Sequence, residues 1–131
     1  MSGNSNGDVE LEPLLCSEIV YRALLRKRWI NEDTFRVKAD AYFLRPQEKN
    51  TGLSVNIART CSVQRCVKGF RECFGVASLE VGHIRDIGLD VVPDSLTHAN
   101  IVGLPYREDD PDGAERFAGL LAKQSHIVWT P

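Results

Sequence analysis

The stretch FGVASLEVGHIRDIGLDVVPDSLTHANIVGLP, residues 74–105, decides the fold class, because it reads as three extended segments in succession with no long helix between them. In FGVASLEVGHI (74–84), Ala77, Leu79 and Val81 alternate with Ser78, Glu80 and Gly82, the period of two expected of a half-buried strand. His83 falls in phase with the apolar set and carries the expected strand to its end. LDVVPD (89–94) reads as a short strand closed by a Pro-Asp turn, and HANIVGLP (98–105) as a third strand that begins at His98. A doubly wound sheet would need a helical crossover between parallel neighbours, so this order points to α+β.

Working outward toward the amino terminus, CSEIVYRALLRKRWI (16–30) carries two periods at once. Ser17 suits a helix cap with Ile19, Val20, Ala23 and Leu24 on one side, yet Ile19, Tyr21 and Ala23 also alternate as a strand does. We adopt the strand, running into a turn near Asn31. DAYFLRP (40–46) reads as a strand stopped by Pro46, QEKNTG (47–52) as a turn, and LSVNI (53–57) as a strand paired with or adjacent to the previous one. From Ala58 to Gly69 the residues Val63, Cys66, Val67 and then Phe70 fall at helical spacing, with Gly69 as the stop.

Toward the carboxy terminus the local signals are clearest. Asp110 precedes Pro111, and Glu115 follows Asp112 by three residues, so a helix is expected over 111–124 with Ala114, Phe117, Ala118 and Leu121 toward the core. HIVW (126–129) reads as a last edge strand. Residues 1–13 hold Gly, Ser, Asn and acids with little to bury, and are expected to be a disordered acidic tail before a single domain over 14–131. The expectation is therefore one α+β domain, a mixed or antiparallel sheet with two main helices.

The composition sets limits on function. With 131 residues, 43% of them hydrophobic and 26% charged, the chain is of ordinary globular type with one core. No apolar run approaches the ~20 residues of a membrane span, and the amino terminus has neither a basic start nor an apolar signal segment. Four cysteines, Cys16, Cys61, Cys66 and Cys73, in a domain able to build its own core are expected to be free thiols, which suits a cytoplasmic protein. The net charge of −2 is unevenly spread: residues 17–75 carry twelve Lys/Arg against six Asp/Glu, and residues 76–131 carry four against nine. A basic first half suits an anionic partner, or complements the acidic second half within the fold.

Four constellations could carry chemistry. Cys61, Cys66 and Cys73 with His83 are soft ligands, but structural zinc sites place ligands two to four residues apart, and five residues along a helix turns two side chains about 140° from each other. No metal site is expected. His83 and His98, at the ends of strands expected to be neighbours, could form an acid–base pair as in two-histidine phosphoesterases, but HIR and HAN lack the following Thr or Ser. His98 is expected instead to bond the loop before its strand, with Ala99 and Ile101 on one face and His98 and Asn100 on the other.

The third constellation is Arg22 in VYRALL, Ser54 in GLSV and Glu80 in SLEVG, each on its own expected strand. This order resembles the layout of ADP-ribosyltransferase-like and RES-type toxin domains. The resemblance implies an NAD-using enzyme in which the arginine holds the dinucleotide phosphates, the serine supports the cofactor and the glutamate stabilises a developing ribosyl cation. The fourth is RALLRKRW, in which Arg22, Arg26, Lys27 and Arg28 beside Trp29 form a phosphate-tracking patch with a stacking platform for nucleic acid. A sequence pI of 5.9 is low for a dedicated nucleic-acid binder.

Over residues 18–128 the run from IVYR through AYFLRP and GLSVNI to GVASLEVGHIRDIGLDVVPD, HANIVGLP and the closing helix resembles small bacterial proteins of the cyanobacterial type, without a known activity. That resemblance implies a bacterial cytosolic domain. The expectation for function is an interaction or regulatory module with a protein partner and no cofactor. The NAD-using enzyme and the nucleic-acid binder stand as alternatives, and catalysis is left open.

Overall fold

A computed structural model describes residues 11–131. Its centre is a six-stranded sheet, antiparallel at every pairing, formed by β1 (Ile19–Leu24), β4 (Leu53–Ile57), β5 (Gly75–Glu80), β6 (Asp90–Pro93), β7 (His98–Val102) and β8 (His126–Trp129) in the order β6-β7-β4-β1-β5-β8. A separate two-stranded ribbon joins β2 (Ile30–Asn31) to β3 (Arg36–Val37). The helices are α1 (Val63–Lys68), α2 (Val81–Asp86) and α3 (Pro111–Gln124), so the fold is α+β with one long helix. Of the expected tail over residues 1–13, only Leu11–Pro13 lie within the described residues, and they have no regular structure.

Alternation along the central strands separates two faces. Val20 and Leu24 of β1, Leu53, Val55 and Ile57 of β4, Leu79 of β5 and Ala99 and Ile101 of β7 are all buried and share one side. Onto that side pack α3, through Ala118, Leu121 and Ala122, and the short 3-10 helix Ala39–Tyr42, through Ala41 and Tyr42. The other side is only partly covered. Cys61 and Cys66, with Val63 and Val67 of α1, close over Ala23 and Val76, while the strip made by β4 and β7 carries half-exposed polar side chains, among them Ser54, Asn56, His98 and Asn100. Burial raises the Cys66 thiol to about 11, with the neighbouring thiols Cys61 and Cys73 adding to the effect, so it stays protonated and behaves as a small apolar group.

Several expectations hold at residue level. The segments 53–57, 98–102 and 126–129 are strands, and α3 runs over 111–124, with Pro111 at its first turn. Its cap is Asp110, whose carboxylate accepts from the Gly113 N–H at 3.1 Å. The helix of the 58–69 region is shorter than expected, because Ser62 caps it by accepting from the Arg65 N–H at 3.2 Å. Cys61 therefore lies before the helix and is buried in the same small cluster as Cys66.

Two expected strands are corrected. Residues 40–46 are not extended into a strand, because β4 already has β1 on one edge and β7 on the other, which leaves no edge for a preceding partner. The segment coils against α3 instead. The strand expected over 74–84 stops at Glu80, where the chain entering β1 crosses it: the Val81 and Gly82 N–H groups donate to the carbonyls of Glu18 and Cys16 at 2.9 and 2.8 Å. Gly82 fits there because an added Cβ would sit 3.0 Å from the Cys16 carbonyl oxygen. His83 thus belongs to α2, and β5 and β7 are not neighbours, so His83 and His98 do not meet across the sheet.

Candidate functional site

Arg22 is in phase with Val20 and Leu24, so β1 drives its guanidinium into the covered side of the sheet, where it is 3% exposed. Its partners come from three segments. Nε donates to the Ala41 carbonyl at 3.0 Å, and Nη1 donates to Glu48 Oε2 at 3.1 Å and to the Ser54 carbonyl at 2.9 Å. The Trp29 ring lies 5.7 Å from the guanidinium carbon. Glu48, equally buried, also accepts from the Arg45 backbone N–H at 2.9 Å, from the Arg45 guanidinium and from the Ser54 N–H at 2.9 Å. Burial by itself would raise the Glu48 carboxyl, but the Arg22 charge and the bonds from Arg45 and Ser54 outweigh it and hold it at about 2.

This pair replaces missing sheet. β1 and β4 are in register only at Val20 with Ile57 and Tyr21 with Asn56. Beyond Tyr21 the Ser54 N–H and C=O are taken by Glu48 and Arg22 rather than by a strand, which satisfies buried backbone groups that would otherwise be costly. The backbone of Ser54 is fixed as a result.

The side chain of Ser54 points the other way. Its neighbours Leu53 and Val55 are buried, so alternation puts Ser54 and Asn56 on the partly open face, opposite Asn100 and His98 of β7. Ser54 Oγ lies 2.5 Å from His98 Nε2, and His98 Nδ1 lies 2.7 Å from Asp94 Oδ1. Asn100 Nδ2 donates to the other oxygen of Asp94 at 2.9 Å, and the Ser95 hydroxyl accepts from the His98 N–H at 3.0 Å. His98 thus opens β7 and bonds the preceding loop as expected, but it also binds a serine that sequence reading did not link to it.

Arg22, Ser54 and Glu80 are not brought to one cleft. The Arg22 and Ser54 side chains leave opposite faces of the sheet, and Glu80 lies at the far end of β5, paired with Ile19, with its carboxylate 3.2 Å from His83 Nε2.

The basic patch is redistributed too. Arg22 belongs to the interior and is removed from that surface, because it points inward from β1 while Arg26, Lys27 and Arg28 follow the strand's end. Lys27 turns toward Glu32, at 4.0 Å. Arg26 and Arg28 instead meet Arg45 and Arg71 around a groove of about 430 Å3 whose walls include Trp29 and Phe70. Among the described residues Glu72 is the only acid lining it. Among the described residues Arg26, Arg28 and Arg71 form no salt bridge.

Arg45, Arg71 and Phe70 lie far from the 22–28 run in sequence and were not grouped with it. The surplus of bases over residues 17–75 was the available signal. Among the described residues no helix is long and apolar enough to cross a membrane, and no group of three or more His, Cys, Asp or Glu is placed to hold a metal ion. Comparison with protein-family models, with curated proteins and with solved structures finds no match for the chain.

Proposed function

We propose that the protein is a binding module for a phosphate-bearing ligand, taken in the groove between Arg26, Arg28, Arg45 and Arg71. The observation that carries this reading is the gathering of four arginines around a cavity of about 430 Å3, within the size range of small-ligand sites, with Arg45 bonded to Glu48 and the other three in no salt bridge among the described residues. Guanidinium forks match phosphate oxygens in pairs, and Phe70, 38% exposed, offers a ring for a base to stack on. Trp29, largely buried, lines the same groove. The overall negative charge favours a short contact of nucleotide size over a long nucleic-acid track.

The test is equilibrium binding of a labelled ten-nucleotide single strand, with adenosine triphosphate as competitor, at two salt concentrations. Three phosphate contacts to a single strand give a roughly 20-fold loss of affinity between 50 and 200 mM salt. The pair of substitutions Arg28→Glu and Arg71→Glu, on exposed arginines, removes binding while leaving the melting temperature in place. No binding at low salt, or binding unchanged in that double variant, overturns the proposal.

A further inference from the structure

On the face of the sheet left open by α1, Ser54, His98 and Asp94 stand in a hydrogen-bonded line, Oγ to Nε2 at 2.5 Å and Nδ1 to Oδ1 at 2.7 Å. We propose that this line is a nucleophilic site that accepts the acyl group of a small carboxylic ester. It rests on residues separate from the arginine groove.

Three features of this line suit such chemistry, and each has a cause in the fold. The tautomer must be right: a carboxylate can only accept, so Asp94 holds the proton on Nδ1 and leaves the Nε2 lone pair facing the Ser54 hydroxyl. The base must be oriented: the ring is held at Nδ1 by Asp94, which is itself held by Asn100, while the Ser95 hydroxyl accepts from the backbone N–H of His98 and fixes where its strand begins. The nucleophile must not drift: the backbone of Ser54 is clamped on both its polar groups by Glu48 and Arg22. The arrangement is that of a base within hydrogen-bond reach of a hydroxyl and oriented by a third group.

The site is reachable. The His98 side chain is 30% exposed and that of Asp94 51%. Val92 of β6, opposite Asn100 in the register and 46% exposed, supplies an apolar contact beside it for a short acyl chain. In the first step the Ser54 oxygen bonds to the ester carbonyl carbon as its proton passes to His98 Nε2. The carbon–oxygen bond to the leaving alcohol then breaks, and the imidazolium returns the proton to that alcohol. Water repeats the sequence on the acyl-serine and releases the carboxylic acid, with no change of oxidation state.

The experiment treats the full chain with a fluorophosphonate, which phosphonylates an activated serine with loss of fluoride, and maps the adduct by mass spectrometry. Hydrolysis of p-nitrophenyl acetate is followed in parallel. The expected result is one adduct, on Ser54, absent in Ser54→Ala. Labelling and hydrolysis should be slowed roughly a hundredfold or more in His98→Gln and Asp94→Asn. Gln keeps a donor and an acceptor at position 98, so that variant melts with the wild type. An unmodified Ser54 in the wild type, or equal labelling in His98→Gln, overturns the proposal.

Discussion

Arg22 and Glu48 meet in the interior, Nη1 3.1 Å from Oε2, with 3% and 4% of their side chains exposed. The pair is compensated by geometry: Glu48 accepts from two arginines and two backbone N–H groups, and Arg22 reaches two carbonyls besides. Removing one member leaves a buried charge with fewer partners, so Arg22→Met and Glu48→Met are each expected to cost about 3–5 kcal/mol. The double variant Arg22→Met/Glu48→Met should cost clearly less than the sum, because no charge is then stranded. Urea denaturation of the four proteins measures this, and strict additivity would contradict it.

The same carboxyl sets a pH dependence. Its folded value of about 2 lies below the ordinary 4.5, so the unfolded chain binds the proton more tightly. The stabilisation is fully present above pH 4.5 and is lost as pH falls from there toward 2, on the order of 3 kcal/mol in all. Stability measured from pH 6 to pH 2 should show this slope in the wild type, and a smaller one in Glu48→Gln. Parallel curves for the two would refute the assignment.

Gly52 precedes β4 with φ of +110°, and a Cβ there would lie 2.7 Å from the Ile101 carbonyl oxygen. Gly52→Ala therefore strains the backbone and pushes β4 from β7, at about 1–3 kcal/mol for the conformation alone. Gly88, at φ +93° with open space around it, isolates the conformational part. Thermal melts should rank Gly52→Ala below Gly88→Ala. Because the shift falls two residues before Ser54, fluorophosphonate labelling should drop in Gly52→Ala only.

On α3, Leu121 is fully buried, whereas Phe117 packs at the margin of the core with the Arg116 guanidinium 4.4 Å from its ring centroid. Leu121→Ala should cost about 2–5 kcal/mol. Phe117→Ala, expected from the helical period alone to point into the core, should cost less than Leu121→Ala. Chemical denaturation of both variants checks the order, and the reverse ranking would mean that the face of α3 is rotated.

What the sequence determined by itself is local. The alternation in LSVNI and HANIV places β4 and β7 and names their buried residues, and Asp110 with Pro111 starts α3 where its capping chemistry requires. Those signals belong to one element at a time, and side-chain period and cap bonds need no distant partner. The tertiary structure decided the rest. Residues 40–46 are apolar enough for a strand, yet both edges of β4 are taken. Arg22 reads as one of a basic run, yet its phase on β1 carries it inward to a glutamate 26 residues away. Ser54, Asp94 and His98 become one line only because β4 and β7 pair with Ser54 opposite Asn100, a register set by the whole sheet, and one residue of slip would turn either strand's side chains to the other face.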